Sequence, residues 1–171
     1  MIPAKKTILH WAAGLTLIGA AAVCAAKPAP LGKPAPDFSL PSLNSNDTMT
    51  LSAFRGKVVL LDFWASWCLP CKRLMPLLGE MKDRLPDLEI LALSVDVDRN
   101  KALSFQRSVE PGLKAAYDAN QKTSESYGVT RMPTCFLIDK KGRLRFRHDG
   151  YTEQDLKKLE REAKLLLAEP G

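Results

Sequence analysis

The sequence predicts an α/β domain, and three observations carry that prediction. Two short apolar runs, residues 58–64 and 88–97, have the length and β-branched content of buried strands, and each leads into a helical pattern. Residues 135–139 and 144–147 read as two strands joined at Lys140-Lys141-Gly142. Residues 152–167 then close the chain as an amphipathic helix, capped by Thr152, with Leu156, Leu159, Ala163 and Leu166 on its inner face.

At 171 residues the chain suffices for one domain with a full core. A hydrophobic share of 46% and a charged share of 26% are those of an ordinary globular protein. The net charge of +6 does not point to nucleic acid, because the basic residues form no run interleaved with aromatics. Arg143, Arg145 and Arg147 alternate and share one strand face, a solvated face or a docking patch.

Residues 1–26 stand apart from the fold. Lys5 and Lys6 precede an uncharged run of 13 residues from Trp11 to Val23, and small residues follow as far as Ala26. This is the layout of a secretory signal peptide, with cleavage expected near Ala25 or Ala26. The run is short of the roughly 20 residues that span a bilayer, so retention as an N-terminal membrane anchor is the alternative. Cys24 raises a lipoprotein as a third option, for which Ala21-Ala22-Val23 is a poor lipobox. Cleavage leaves 23 basic and 19 acidic residues, a charge of +4, and no nucleic-acid partner is expected.

Residues 27–36 hold four prolines and are expected to form an extended linker ahead of a domain spanning 37–168. Residues 37–40 and 48–51 alternate polar and apolar around Asn44-Ser45-Asn46-Asp47, the pattern of a β-hairpin. Beyond the first buried strand, Leu74, Leu77, Leu78, Met81 and Leu85 recur at helical spacing as far as Pro86. Asp96 and Asp98 end the second strand and read as caps for a helix over 101–109. A short strand over 113–117 and a short helix over 122–127 complete the series.

The chemistry concentrates at Cys68-Leu69-Pro70-Cys71, between the first buried strand and its helix. Pro70 suits a first helical turn, which places Cys68 at the helix N-terminus. Free N–H groups and the positive end of the helix dipole stabilise a thiolate there, so Cys68 is the expected nucleophile. Cys71, one turn further in, is expected to be more buried and less acidic. The two-residue spacer lets the sulfurs close a small ring, so the pair can exchange two electrons. Cys68 would attack a disulfide and Cys71 would resolve the mixed disulfide.

In these residues the chain resembles the thioredoxins. Asp62-Phe63-Trp64-Ala65-Ser66-Trp67-Cys68-Leu69-Pro70-Cys71-Lys72 reproduces that superfamily's D-F-W-A-x-W-C-x-P-C-K run, and Pro76 matches the proline that kinks its active-site helix. Met132-Pro133-Thr134 is similar to its cis-proline loop. Ala35-Pro36-Asp37-Phe38-Ser39-Leu40 and Leu51-Ser52-Ala53-Phe54-Arg55-Gly56-Lys57 are similar to the start of TlpA/ResA-like proteins and of peroxiredoxins. The resemblance implies a thioredoxin-like fold: a mixed central sheet with flanking helices, an N-terminal β-hairpin extension and a central helix-plus-strand insertion. Trp64 and Trp67 read as walls of the site, with core packing the alternative for Trp64. The resemblance implies that Met132 offers its backbone to an extended client peptide beside cis-Pro133. It also implies that Asp62 lies beneath the cysteine pair and relays a proton to or from Cys71.

On the residues alone, Asp62 is a carboxyl in an apolar strand, whose pKa burial raises, or a strand-edge Asp bonded to backbone. Cys135 is a small buried hydrophobe or a third thiol near the site. Haem attachment is excluded because Lys72, not His, follows Cys71. A Cu(I) carrier on Cys68 and Cys71 and a peroxiredoxin-like peroxidase are the rival functions. The sequence lacks the CxxxC and nearby His of the first, and of the second's P-x-x-x-[ST]-x-x-C setting has only a nearby Ser, Ser66, one position out of register.

The expectation is therefore an exported thiol–disulfide oxidoreductase of a bacterial periplasm or cell envelope, with no cofactor and no metal. By the resemblance it reduces protein disulfides, keeps apocytochrome or metal-site cysteines reduced, and draws electrons from a membrane thiol donor. Leu69-Pro70 lacks the His that strongly oxidising relatives place between the cysteines, which favours reduction, whereas the redox poise of such a compartment favours net oxidation unless a donor exists.

Overall fold

A computed structural model describes residues 29–171, and the segment 1–26 read as a signal or anchor lies outside the described residues. The elements are β1 (Ser39–Pro41), β2 (Thr48–Thr50), a 3-10 turn (Leu51–Phe54), β3 (Val58–Trp64), α1 (Leu69–Arg84), β4 (Leu88–Ser94) and α2 (Arg99–Val109). There follow β5 (Lys114–Tyr117), α3 (Lys122–Ser126), β6 (Thr134–Ile138), β7 (Leu144–Asp149) and α4 (Glu153–Ala168).

Five strands form one mixed sheet in the order β5-β4-β3-β6-β7. β3, β4 and β5 run parallel, each joined to the next through a helix, whereas β6 and β7 are antiparallel and need only a tight turn. That turn uses Gly142 at φ 76°, a left-handed conformation that glycine adopts without a Cβ clash. β1 and β2 form the separate N-terminal hairpin, which docks on the inserted β5 through Leu43 N–H and the Ala115 carbonyl at 2.8 Å.

Every residue of β3 and β4 is buried, because both faces of the sheet are covered; hence their largely apolar runs, broken by Asp62 in β3 and by Glu89 and Ser94 in β4. Side chains alternate between two cores. Val59, Leu61 and Phe63 pack with Tyr127 and Phe136, while Val58 and Leu60 pack with Leu74, Leu78 and Met81 of α1 and Leu159, Ala163 and Leu166 of α4. Asp62 shares the alternation of Val58 and Leu60 and so faces the side that α1 and α4 cover.

Three expectations are corrected here. Residues 29–36 are not a free tether. Gly32 N–H donates to Leu144 O at 2.6 Å, Ala35 N–H to Gly142 O at 2.9 Å, and Leu144 N–H to Lys33 O at 2.9 Å. Prolines remove donors, but the remaining N–H groups satisfy the chain entering β7, and Ala29 and Ala35 become buried. The buried stripe of α1 is Cys71, Leu74, Met75, Leu78 and Met81; Leu77 and Leu85 are only half-buried, because the helix faces both cores at once. Finally, Arg145 and Arg147 are not a free basic face. Arg145 binds Glu169 (2.6 and 2.9 Å) and Asp139 (3.3 Å), and Arg147 binds Asp149 and the carbonyls of Tyr127 and Gly128.

Candidate active site

β3 delivers the chain to a loop, Ala65–Trp67, that ends at the N-terminus of α1. Cys68 is the N-cap residue, in extended conformation, and its sulfur accepts the Cys71 N–H at 3.2 Å. Pro70 lies in the first turn, as expected. Cys68 and Cys71 are joined as a disulfide with Cα atoms 5.3 Å apart, an ordinary separation for such a bond. Cys68 keeps 4% of its surface exposed and Cys71 none, so an incoming sulfur can reach only Cys68.

The loop is fixed from β4. Asp96 accepts from Ser66 N–H (2.9 Å), Ser66 Oγ (2.7 Å) and Ser94 Oγ (2.9 Å). Asp98 is the N-cap of α2, bonded to Asn100 N–H at 2.9 Å. Only one of the two strand-end carboxylates is therefore a cap; the other anchors the active loop. Sequence reasoning missed that role, although a Ser directly before Trp67 and an Asp just past a parallel strand are its local signals.

Exposed apolar side chains flank Cys68 in the chain, and Val97 is exposed beyond Asp96. Trp67 is 72% exposed, Leu69 65% and Val97 84%. Trp64, in contrast, is fully buried and stacks on Phe105 at 5.2 Å, so it belongs to the core. The Met132–Pro133 bond is cis. Thr134 pairs with Phe63 near the C-terminal end of β3, which puts Pro133 at the sheet end that carries the cysteines. Met132 is partly buried against the core cluster containing Cys68 and Cys71.

Asp62 lies in the middle of the sheet, paired in register with Ala92 and Cys135, so a strand-edge position is ruled out. The Cys135 thiol donates to Asp62 Oδ1 at 3.2 Å, and Oδ2 has no partner. Complete burial raises the Asp62 pKa from 3.8 to about 7, and the thiol bond pulls the other way. Cys135 is buried as expected, yet it is more than a small hydrophobe because its S–H is engaged. Burial first, and the Asp62 charge second, push its own pKa well above the usual thiol value. It is thus held as a protonated donor. Beyond it, His148 pairs in register with Cys135 and meets Glu162 of α4 at 2.6 Å, a buried contact that sequence reasoning also missed. Among the described residues, no three His, Cys, Asp or Glu side chains converge as a metal site.

Comparison with known proteins places these features in company. The Redoxin family profile matches residues 30–164. The thiol-disulfide oxidoreductase ResA of Geobacillus thermodenitrificans is 35% identical over 130 residues, covering 74% of each chain. ResA of Bacillus thuringiensis subsp. konkukian is 34% identical over 116 residues, which span 67% of this chain and 66%, just under two thirds, of that one. A Chlorobium tepidum crystal structure, described as thiol:disulfide interchange protein DsbE, superposes with a TM-score of 0.78 at 35% identity, covering 81% of this chain and 99% of that one.

Proposed function

The chain belongs to the Redoxin family, and from that premise we propose that it is a thiol–disulfide oxidoreductase working through Cys68 and Cys71. One observation carries the reading: a disulfide at a helix N-terminus, in which Cys68 keeps a trace of exposure and Cys71 has none. In the reduced protein the N-terminal end of α1 stabilises the Cys68 thiolate. That thiolate attacks a client disulfide, the client's other sulfur leaves as thiolate, and a mixed disulfide forms. Cys71 then gives its proton to Asp62 and attacks the Cys68 sulfur. The second client sulfur departs, and the two electrons taken from the protein's dithiol now rest on the client's two thiols.

Trp67 and the Met132–Pro133 ledge are proposed to receive the client, whose cysteine must sit in an extended segment to reach so narrow an opening. Asp62 fits its part because a carboxyl with a pKa of about 7 can both take and release a proton near neutrality. The signal-like pattern of residues 1–26 supports export to a bacterial envelope or periplasm. There the protein is proposed to act as a reductant of envelope proteins, apocytochromes among them, fed by a membrane thiol donor. No helix among the described residues is long and apolar enough to cross a membrane.

Two measurements test this reading. Cys71→Ser should accumulate a mixed disulfide with a disulfide-bearing peptide, visible by mass, whereas Cys68→Ser should form none; trapping through Cys71 instead would overturn the order of attack. The reduction potential of the full chain should fall near −270 mV, roughly that of thioredoxin. A value nearer about −120 mV would make the protein a disulfide donor and overturn the direction.

A further inference from the structure

Asp62 has a single hydrogen-bond partner. Its register partner on β4 is Ala92, which offers nothing, and its partner on β6 is Cys135, whose sulfur lies 3.2 Å from Oδ1. A carboxyl has two equivalent oxygens, and here the contact breaks that equivalence: Oδ1 is held, while Oδ2 is buried with no partner. A thiol is a weak donor, but both partners are buried from bulk solvent, which strengthens the bond. The other titratable groups on this side of the sheet are already occupied. His148 of β7, beside Cys135, is bound to Glu162 of α4, and α1 contributes the Cys68/Cys71 pair; Asp149, on the opposite face, is bound to Arg147 and Thr134. The Cys135 thiol therefore has Asp62 as its acceptor.

We propose that Cys135 is a positioning residue for the reaction: its S–H fixes one oxygen of Asp62 and leaves the other as the one free to exchange a proton with the cysteine pair. The inference rests on the reading of Asp62 as the proton partner of Cys71. Cys135 is neither oxidised nor deprotonated in the cycle; it donates the same hydrogen bond throughout. The bond favours the carboxylate over the carboxylic acid, so it keeps Asp62 competent as a base near neutrality. An apolar side chain at position 135 would leave both oxygens orphaned and the carboxyl harder to ionise.

The test uses the full chain with Cys135→Ala, Cys135→Val and Cys135→Ser, each with Asp62 and with Asp62→Asn. Valine fills the site that alanine leaves empty, so a failure of one to fold does not end the test. Carbon-13 NMR of the Asp62 carboxyl in the oxidised protein should show its midpoint rising by about one pH unit in the Ala and Val variants. The Ser variant, which keeps a donor, should titrate at or below the parent. Resolution of a preformed mixed disulfide at pH 7 should slow about fivefold in Ala and Val and recover in Ser. Equal shifts in all three variants, or none in any, would overturn the proposal. So would a shift in the rate profile that persists with Asp62→Asn, since the effect of position 135 would then not pass through Asp62. Separately, Asp62→Asn leaving the pH profile of resolution unaltered would remove Asp62 from the proton transfer, whatever the carboxyl midpoint shows.

Discussion

Asp62 joins reactivity and stability in one side chain, and the sign of that link can be worked out. Its pKa is near 3.8 in the unfolded chain and about 7 in the fold. The folded protein holds the proton more tightly, so the contribution to stability is complete below the unfolded value and is lost as pH rises through about 7. Asparagine has no such titration. Asp62→Asn should therefore gain on the parent as pH rises, by up to roughly 4 kcal/mol between about pH 4 and pH 8, in urea unfolding of the oxidised proteins. A difference that does not change with pH would show that the carboxyl is not buried as described. The expectation that burial raises this pKa needed only an Asp inside an apolar run. Cys68, Cys71 and Trp67 were equally legible, since a strand, a loop and a helix N-terminus adjoin in sequence. The Cys135–Asp62 bond was not: the partners are 73 residues apart, and only the β3–β6 register brings them together.

Elements were easier to read than the contacts between them. β3 and β4 announced themselves as apolar runs, and the α2–β5 insertion fell where the expected helix and strand did, within two residues at each end. The stripe of α1 was misjudged because a one-core pattern was laid on a helix that touches two cores. Ion pairs that lock strands together leave no mark in a single-strand pattern. Glu89, buried in β4, binds Lys57 at the entry to β3 (2.7 Å) and Lys114 at the start of β5 (2.5 Å). Burial alone would raise the Glu89 pKa, but the Lys114 and Lys57 ammoniums overcome it and bring the carboxyl down to about 2. Since the folded pKa is depressed, the stabilisation is present above the unfolded value of 4.5 and lost as pH falls through about 2. Both lysines are half-exposed, so solvent screens much of the attraction. Glu89→Gln should cost about 1–2 kcal/mol at pH 7 and converge on the parent near the folded pKa, measured by urea unfolding across pH. An equal cost at both ends of that range would assign the effect to packing.

At the scale of the whole molecule, the N-terminal segment 29–36 is what composition misrepresented. Four prolines among residues 27–36 argue for an extended chain, and it is extended, but it is laid along the domain rather than away from it. Gly32, at φ 78°, turns the segment so that Lys33 and Ala35 bracket the chain entering β7 through an antiparallel bridge between Pro34 and Arg143. The hydroxyl of the buried Tyr127 donates to Pro36 O at 2.7 Å, and Ala29 N–H reaches Tyr127 O at 3.4 Å. The segment thus satisfies groups at the α3 end and at the β7 edge that would otherwise lose their partners. A chain beginning at Asp37 loses all of these bonds, takes the buried Ala29 and Ala35 out of the core and uncovers the Tyr127 hydroxyl. Each lost hydrogen bond is worth about 0.5–1.5 kcal/mol net, so this chain should be less stable than one beginning at Lys27. The comparison is a lower midpoint in urea with the slope retained, because the sheet and both cores remain. Equal midpoints would return the segment to the free linker that its prolines suggested.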